Sequence, residues 1–284
     1  MTTGRPRVLV AGGTGFLGTP IARRLRADGF DAVVASRATG VDLSDPGAVA
    51  ALPPCEAVVH VAGGPSAREP EVEHPTITRN LLEFARRSGA RLVLASTFVY
   101  GASPRVPASE ADAPRPHTRY AASRLAGEEL GRAYQRDFGV PVDALRVFNA
   151  YGPGQPAAFV VPTIVAGALA GRIELADPAP RRDFVHVDDV ARAFALAAGR
   201  RSRGFDVFNV GSGESRSVDS VAQAAARLAG GRVEIAYSGA VRGDEVPEAR
   251  ADVRKAARVL RWRAETGFDA GLASLIASAR EARR

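Results

Sequence analysis

The sequence predicts an α/β protein: a doubly wound parallel sheet with a smaller, discontinuous C-terminal domain. Three observations predict it. Short runs rich in Val and Leu alternate with stretches of helical apolar period, as strands buried on both faces alternate with covering helices. A glycine-rich turn joins the first run to the first helix. After about residue 150 the alternation loosens and Pro and Gly crowd the chain.

In chain order, "RVLVA" (7–11), "DAVVAS" (31–36), "AVVHVA" (57–62), "RLVLAS" (91–96) and "VDALRV" (142–147) read as buried strands. Between them "TPIARRLRADG", "PTITRNLLEFARRSG" and "YAASRLAGEELGRAYQRDFG" carry helical spacing, each ending on a glycine that stops a helix. Farther on, "RDFVHV" (182–187) and "DVFNVG" (206–211) read as strands flanking a helix in "DDVARAFALAAG". "SVDSVAQAAARLAGG", "DVRKAARVLRW" and "DAGLASLIASAREARR" read as helices. The expected division is 1–151 with 182–212 for nucleotide binding, and 152–181 with 213–284 for substrate.

The 284 residues are 46% hydrophobic and 24% charged, the balance of a soluble globular chain with a large core. The single cysteine, Cys55, excludes a disulfide framework within the chain and fits a reducing cytoplasm. The longest apolar stretch, "FVVPTIVAGALAG" (159–171), contains Pro162 and is too short to span a bilayer, so no membrane partner is expected. The net charge of +7 is spread along the chain and interleaved with acids, which argues against nucleic acid and suits an anionic small substrate. No metal site is expected. Of the 38 basic residues only Lys255 is lysine.

"VLVAGGTGFLGTPIARRL" is a strand, a turn and a helix. Gly12, Gly15 and Gly18, with Phe16 and Leu17 in the turn, let backbone approach a pyrophosphate whose charge meets the helix N-terminus. At the end of the second strand, where an acid would bind a ribose hydroxyl, stand Ser36 and Arg37. A hydroxyl and a guanidinium suit a 2′-phosphate, so NADP(H) is expected over NAD(H); the alternative is that Arg37 is a solvated loop arginine. Asp42 and Leu43 follow, placed to flank the adenine, and Val61 and Ala62 end the third run.

Ligands of a doubly wound sheet lie at the carboxyl ends of the strands. Ser96 ends the fourth run, and Tyr120 opens the next helix with Arg124 one turn on. A hydroxyl, a phenol and a fixed cation then converge, and a phenol moves a proton readily only where a cation stabilises its phenolate.

These pieces resemble the extended short-chain dehydrogenase/reductase family, in its nucleotide-sugar epimerase/dehydratase group. "GGTGFLG", "VVHVAG", "ASTFVYG", "YAASRLAGEEL", "RVFNAYGPGQ", "RDFVHVDDVARAF", "NVGSGE" and "DVRKAARVLRW" occur in family order over nearly the whole chain. The resemblance implies a Rossmann domain, a sugar-nucleotide domain and a Ser/Thr–Tyr–Lys triad, which falls here on Ser96, Tyr120 and Arg124. It also implies substrate contacts at Thr97, Asn149, Arg182 and, at an irregular offset, Arg242. Three departures stand out. The triad lysine is Arg124, His74 occupies a position that commonly holds asparagine, and Thr97–Phe98 replaces the Asp–Glu pair of the 4,6-dehydratases. The resemblance thus implies an NADPH-dependent reductase of a nucleotide-linked keto sugar, with a nucleotide-sugar 4-epimerase as the close alternative and a non-catalytic cofactor-binding regulator as a third. A homodimer is expected.

Overall fold

The computed structural model describes residues 4–64, 73–102, 105–240 and 245–282. Its first half runs β1 (Arg7–Ala11), α1 (Gly18–Ala27), β2 (Asp31–Ala35), α2 (Pro46–Ala50), β3 (Ala57–His60), α3 (Glu73–Ser88), β4 (Arg91–Thr97), α4 (Arg119–Phe138), β5 (Val142–Val147) and β6 (Asn149–Tyr151). The second half runs α5 (Val160–Ala170), β7 (Arg172–Leu175), β8 (Arg181–Arg182), β9 (Phe184–His186), α6 (Val187–Ala198), β10 (Phe205–Val210), β11 (Arg216–Ser217), α7 (Val218–Ala229), β12 (Glu234–Tyr237), β13 (Glu248–Ala249) and α8 (Phe268–Glu281).

The main sheet has six parallel strands in the order β10-β5-β4-β3-β1-β2. Winding reverses at β1, which pairs β2 on one side and β3 on the other. A crevice opens at such a switch point, beyond the carboxyl ends of the strands. Alternation along β4 divides the core: Val93 and Ala95 pack with α1 and α6, and Leu92 and Leu94 pack with α3. A third cluster joins α5, α7 and α8 around Ile164, Phe184, Ala222 and Leu272.

The helices begin and end as their sequences dictate. The Ala121 N–H donates to the Thr118 hydroxyl (3.0 Å) at the start of α4, and Gly139 closes it in the left-handed region at φ 71°. α1 differs, having no side-chain cap and no acid in its first turn. In its first turn the Thr19 N–H donates to the Gly15 carbonyl (3.0 Å) and Pro20 has no N–H, which leaves the Gly18 N–H to meet an anion.

Two expectations are met only in part. "RDFVHV" forms two short strands outside the main sheet. Its Arg181–Arg182 pairs with β11 and β13, its Phe184–His186 pairs with β6, and α6 starts at Val187. Asp183 separates the two pieces because its buried carboxylate turns to accept from the N–H groups of Ser212, Gly213 and Ala251. "DVRKAARVLRW" does form a helix, but a short one that widens to π geometry over Ala256–Leu260. Arg261 ends it at φ 56°, and the buried Trp262 is held by its indole N–H donating to the Asp189 carbonyl (2.9 Å).

Candidate active site

A cavity of about 560 Å³ runs along the carboxyl ends of the strands, from the turn after β1 to the start of α5. Its walls include Gly12, Gly15, Phe16, Leu17, Gly18, Ser36, Arg37, Asp42, Leu43, Val61 and Ala62, the residues expected to meet a cofactor. They also include Ser96, Thr97, Tyr120, Arg124 and Asn149. The structure thus gathers on one cavity expected site residues as far apart in the chain as Gly12 and Asn149.

The glycine turn is held by contact on both sides. The Gly12 N–H donates to the Ala35 carbonyl (2.8 Å). A Cβ at Gly12 would stand 2.6 Å from the Ala62 nitrogen, and one at Gly18 would stand 2.1 Å from the Gly12 oxygen. Gly15 is different: a Cβ there would meet only the Gly12 oxygen, at 3.4 Å, and would otherwise occupy open space. Thr14 donates to the Ser36 hydroxyl (3.0 Å), tying the turn to the end of β2. Ser36 is buried and Arg37 is exposed. Asp42 accepts from the N–H and hydroxyl of Ser44, and these bonds hold its carboxyl below the usual range.

α4 places Tyr120, Arg124 and Glu128 on one stripe, since residues four apart lie on one helix face. Tyr120 is half-buried at the cavity, and Arg124 and Glu128 are buried beneath it. The Arg124 guanidinium lies 5.0 Å from the Tyr120 ring centroid. It donates to His74 Nε2 (2.6 Å), the Ala95 carbonyl (3.2 Å) and the Ala62 carbonyl (3.3 Å). Two departures from the family pattern, Arg124 and His74, are therefore in direct contact. Burial, then the charge of Arg124, pushes the His74 imidazole down to about 3.

The expectation that Ser96 holds a substrate oxygen meets a competing bond. Ser96 is on the α4 side of β4, and its hydroxyl donates to Glu128 (2.5 Å). Glu128 in turn takes two hydrogen bonds from Arg146, at 3.0 and 2.7 Å. Arg146 also donates to the Tyr100 hydroxyl (2.9 Å), which donates to Asn209 (2.6 Å). Ser96 thus ends a buried polar chain, as buried polar groups require partners. Thr97, the next residue, is half-buried on the cavity wall and ends β4.

Arg182 does not line the cavity. Its guanidinium donates to the carbonyls of Arg181 (2.8 Å) and Val246 (2.7 Å) and pairs with Glu245. Arg242 lies outside the described residues. Sequence reasoning missed Thr14, Ile77, Ser123, Gln155, Phe159 and Phe184 on the wall, because nothing in their local pattern marks them. His74 was legible only as a departure from the family pattern.

Residues 8–211 match the NAD dependent epimerase/dehydratase family. The chain belongs to that family. It is similar to the UDP-glucose 4-epimerase of Mycolicibacterium smegmatis, at 31% identity over 95% of this chain and 97% of that protein. It is also similar to the GDP-6-deoxy-D-mannose reductase of Pseudomonas aeruginosa, at 31% identity over 81% of this chain and 82% of that protein. Among solved structures, MoeE5 in complex with UDP-glucose and NAD superimposes with a TM-score of 0.85 at 33% identity, covering 98% of this chain and all of that one. The Thermus thermophilus UDP-glucose 4-epimerase in complex with NAD gives 0.86 at 31%, covering 97% and 99%. The protein is an enzyme of the extended short-chain dehydrogenase/reductase family, in its nucleotide-sugar group.

The walls fit a dinucleotide. Gly15 leaves open space beside an uncapped helix N-terminus, which suits a diphosphate. Val41, Leu43 and Ile77 line the same end of the cavity and suit a flat apolar ring. Among the described residues no helix is long and apolar enough to cross a membrane, and no cluster of three or more His, Cys, Asp or Glu is placed to hold a metal ion.

Proposed function

We propose that this enzyme reduces a keto carbon of a nucleotide-linked sugar, with NADP(H) as its cofactor. One observation carries the reading: a single cavity joins the glycine turn and Arg37 at one end to Thr97, Tyr120, Arg124 and Asn149 at the other. Bound nicotinamide supplies the hydride. Tyr120 gives a proton to the carbonyl oxygen as that oxygen gains charge, and the nearby Arg124 charge favours the phenolate left behind. Thr97 donates a hydrogen bond to the same oxygen, the part first expected of Ser96. Ser96, by its bond to Glu128, secures the floor beneath. Ser36 and Arg37 stand where no acid is present to favour an unphosphorylated ribose. Asn149 and the apolar wall of Phe159, Val160 and Phe184 receive the sugar nucleotide. Residues 152–181 and 213–284, built around the α5–α7–α8 core, are its domain.

The names of the relatives favour a second reading, a nucleotide-sugar 4-epimerase that oxidises and re-reduces one carbon with a retained cofactor. A single experiment separates the two. The enzyme is incubated with nucleotide keto sugars and NADPH, and separately with UDP-glucose without added cofactor. Net consumption of NADPH with a keto sugar supports the reductase. Appearance of the C4 epimer without net cofactor turnover replaces it with the epimerase.

A further inference from the structure

Arg124 is a buried cation whose partners among the described residues are all uncharged. Its side chain is 3% exposed and meets two backbone carbonyls and one imidazole, with no carboxylate paired to it. A buried charge is costly unless its hydrogen bonds are well made, so the imidazole acceptor carries weight.

The tautomers around it follow from the partners. His74 Nδ1 faces the Ser123 carbonyl (3.1 Å), which only accepts, so Nδ1 carries the proton. Nε2 is then a lone pair and accepts from Arg124 at 2.6 Å. The His74 carbonyl accepts from Thr78 (2.8 Å), which leaves the Thr78 oxygen to accept from His60 Nε2 (3.0 Å). The His60 ring stacks on His74 with centroids 5.0 Å apart. β3, α3 and α4 are thus joined through one set of hydrogen bonds that ends on the guanidinium.

We infer that His74 is a positioning residue: as a neutral Nδ1–H imidazole, it clamps the Arg124 guanidinium beneath Tyr120 and against the cofactor end of the cavity. A guanidinium is a planar fork of five donors, larger than an ammonium, and it must be aimed. One terminal nitrogen donates to both His74 and the Ala95 carbonyl, and the other donates to the Ala62 carbonyl. A protonated His74 would set N–H against N–H and release the clamp. The titratable groups facing His74 are His60 from β3 and Arg124 from α4. Burial and the Arg124 charge both favour neutral His74.

The inference rests on the cavity's holding a nicotinamide dinucleotide, and its test uses cofactor affinity, which needs no sugar. Dissociation constants for NADPH and NADH are measured by fluorescence titration on the full chain, with thermal melting alongside. His74→Phe keeps a ring against His60 and removes the acceptor. His74→Asn keeps a donor toward Ser123 and also removes the acceptor. His74→Gln returns an oxygen near the place of Nε2. His74→Phe and His74→Asn are each expected to weaken binding of the preferred cofactor about tenfold, the worth of a hydrogen bond to a charged group, and His74→Gln to recover most of it. In an Arg124→Met background the same three changes are expected to leave affinity unaltered, because nothing remains to be aimed. A variant that does not fold is set aside and the other acceptor-removing variant decides. The inference is overturned if His74→Phe or His74→Asn folds and binds as the parent does, if the loss persists in the Arg124→Met background, or if His74→Gln is as weak as the others. Lack of turnover on any nucleotide sugar, with this pattern intact, would overturn the proposed function and leave the clamp standing.

Discussion

Tyr120, Thr97 and Ser96 present three hydroxyls near one strand end, and their partners give them different work. Tyr120→Phe removes the proposed acid while keeping the ring, so turnover is expected to fall by about 10²–10⁴-fold with cofactor affinity retained. Steady-state rates and a fluorescence titration check both halves. Thr97→Val removes the hydroxyl assigned to the reacting oxygen. Its kcat is expected to fall about 10²-fold at an unchanged melting temperature. Ser96→Ala is expected to do the reverse, since Glu128 loses a buried donor. Stability should drop by about 1–3 kcal/mol while the folded enzyme turns over within a few-fold of the parent. Denaturant melts beside rates decide which hydroxyl does which. Arg37→Ala is expected to cost about 1.5–3 kcal/mol of NADPH binding and little of NADH binding. Equal losses for both cofactors would show that Arg37 does not read the 2′-phosphate.

Among the elements, the turn between β1 and α1 is the most demanding of its sequence. Gly12, at φ 86°, fits against Ala62, and Gly18 fits against Gly12, with no room for a methyl group at either. Gly18→Ala is therefore expected to lose about 1–3 kcal/mol of stability by overpacking, and cofactor binding with it, because α1 must move away from β1. Gly204→Ala is the control: nothing lies within 4 Å of a Cβ there. Chemical denaturation and cofactor titration of both variants check the contrast. α4 shows the other way an element serves the site. Its 3.6 period carries the phenol, the cation and the buried Glu128 on one stripe, and strand alternation in β4 aims Ser96 at that stripe.

Across the whole molecule, buried imidazoles tie stability to pH. His60 is fully buried, and burial, then the charges of His74 and Arg124, holds it well below its ordinary range; His74 is pushed down to about 3. Both are neutral in the folded chain and bind protons in the unfolded chain below about pH 6.5. The unfolded state then holds more protons, so stability is full above that pH and falls as pH falls, by about 1.4 kcal/mol per pH unit for each imidazole. His74→Gln removes one of these sites. Its melting temperature is expected to fall less steeply than the parent's between pH 7 and pH 5, measured at matched ionic strength.

The strands, the long helices and the glycine turn were legible because their signals are local. Short runs of Val and Leu, a 3.6-residue period and glycine spacing are each written within a short stretch of chain. So were Tyr120 and Arg124, one helical turn apart, and the family to which the whole pattern belongs. What the tertiary structure alone decided depends on partners far away in the chain. "RDFVHV" had the composition of a strand, yet Asp183 turns it toward Ser212, Gly213 and Ala251. Arg182 read as a substrate contact, yet it is held by Glu245 and the Val246 carbonyl 64 residues on. Ser96 read as an open hydroxyl, yet it is spent on Glu128. His74 and Arg124 stand 50 residues apart and meet at 2.6 Å. Sequence determines which groups can bond; only the packed chain determines which of them find each other, because a buried polar group takes the partner that folding brings within reach.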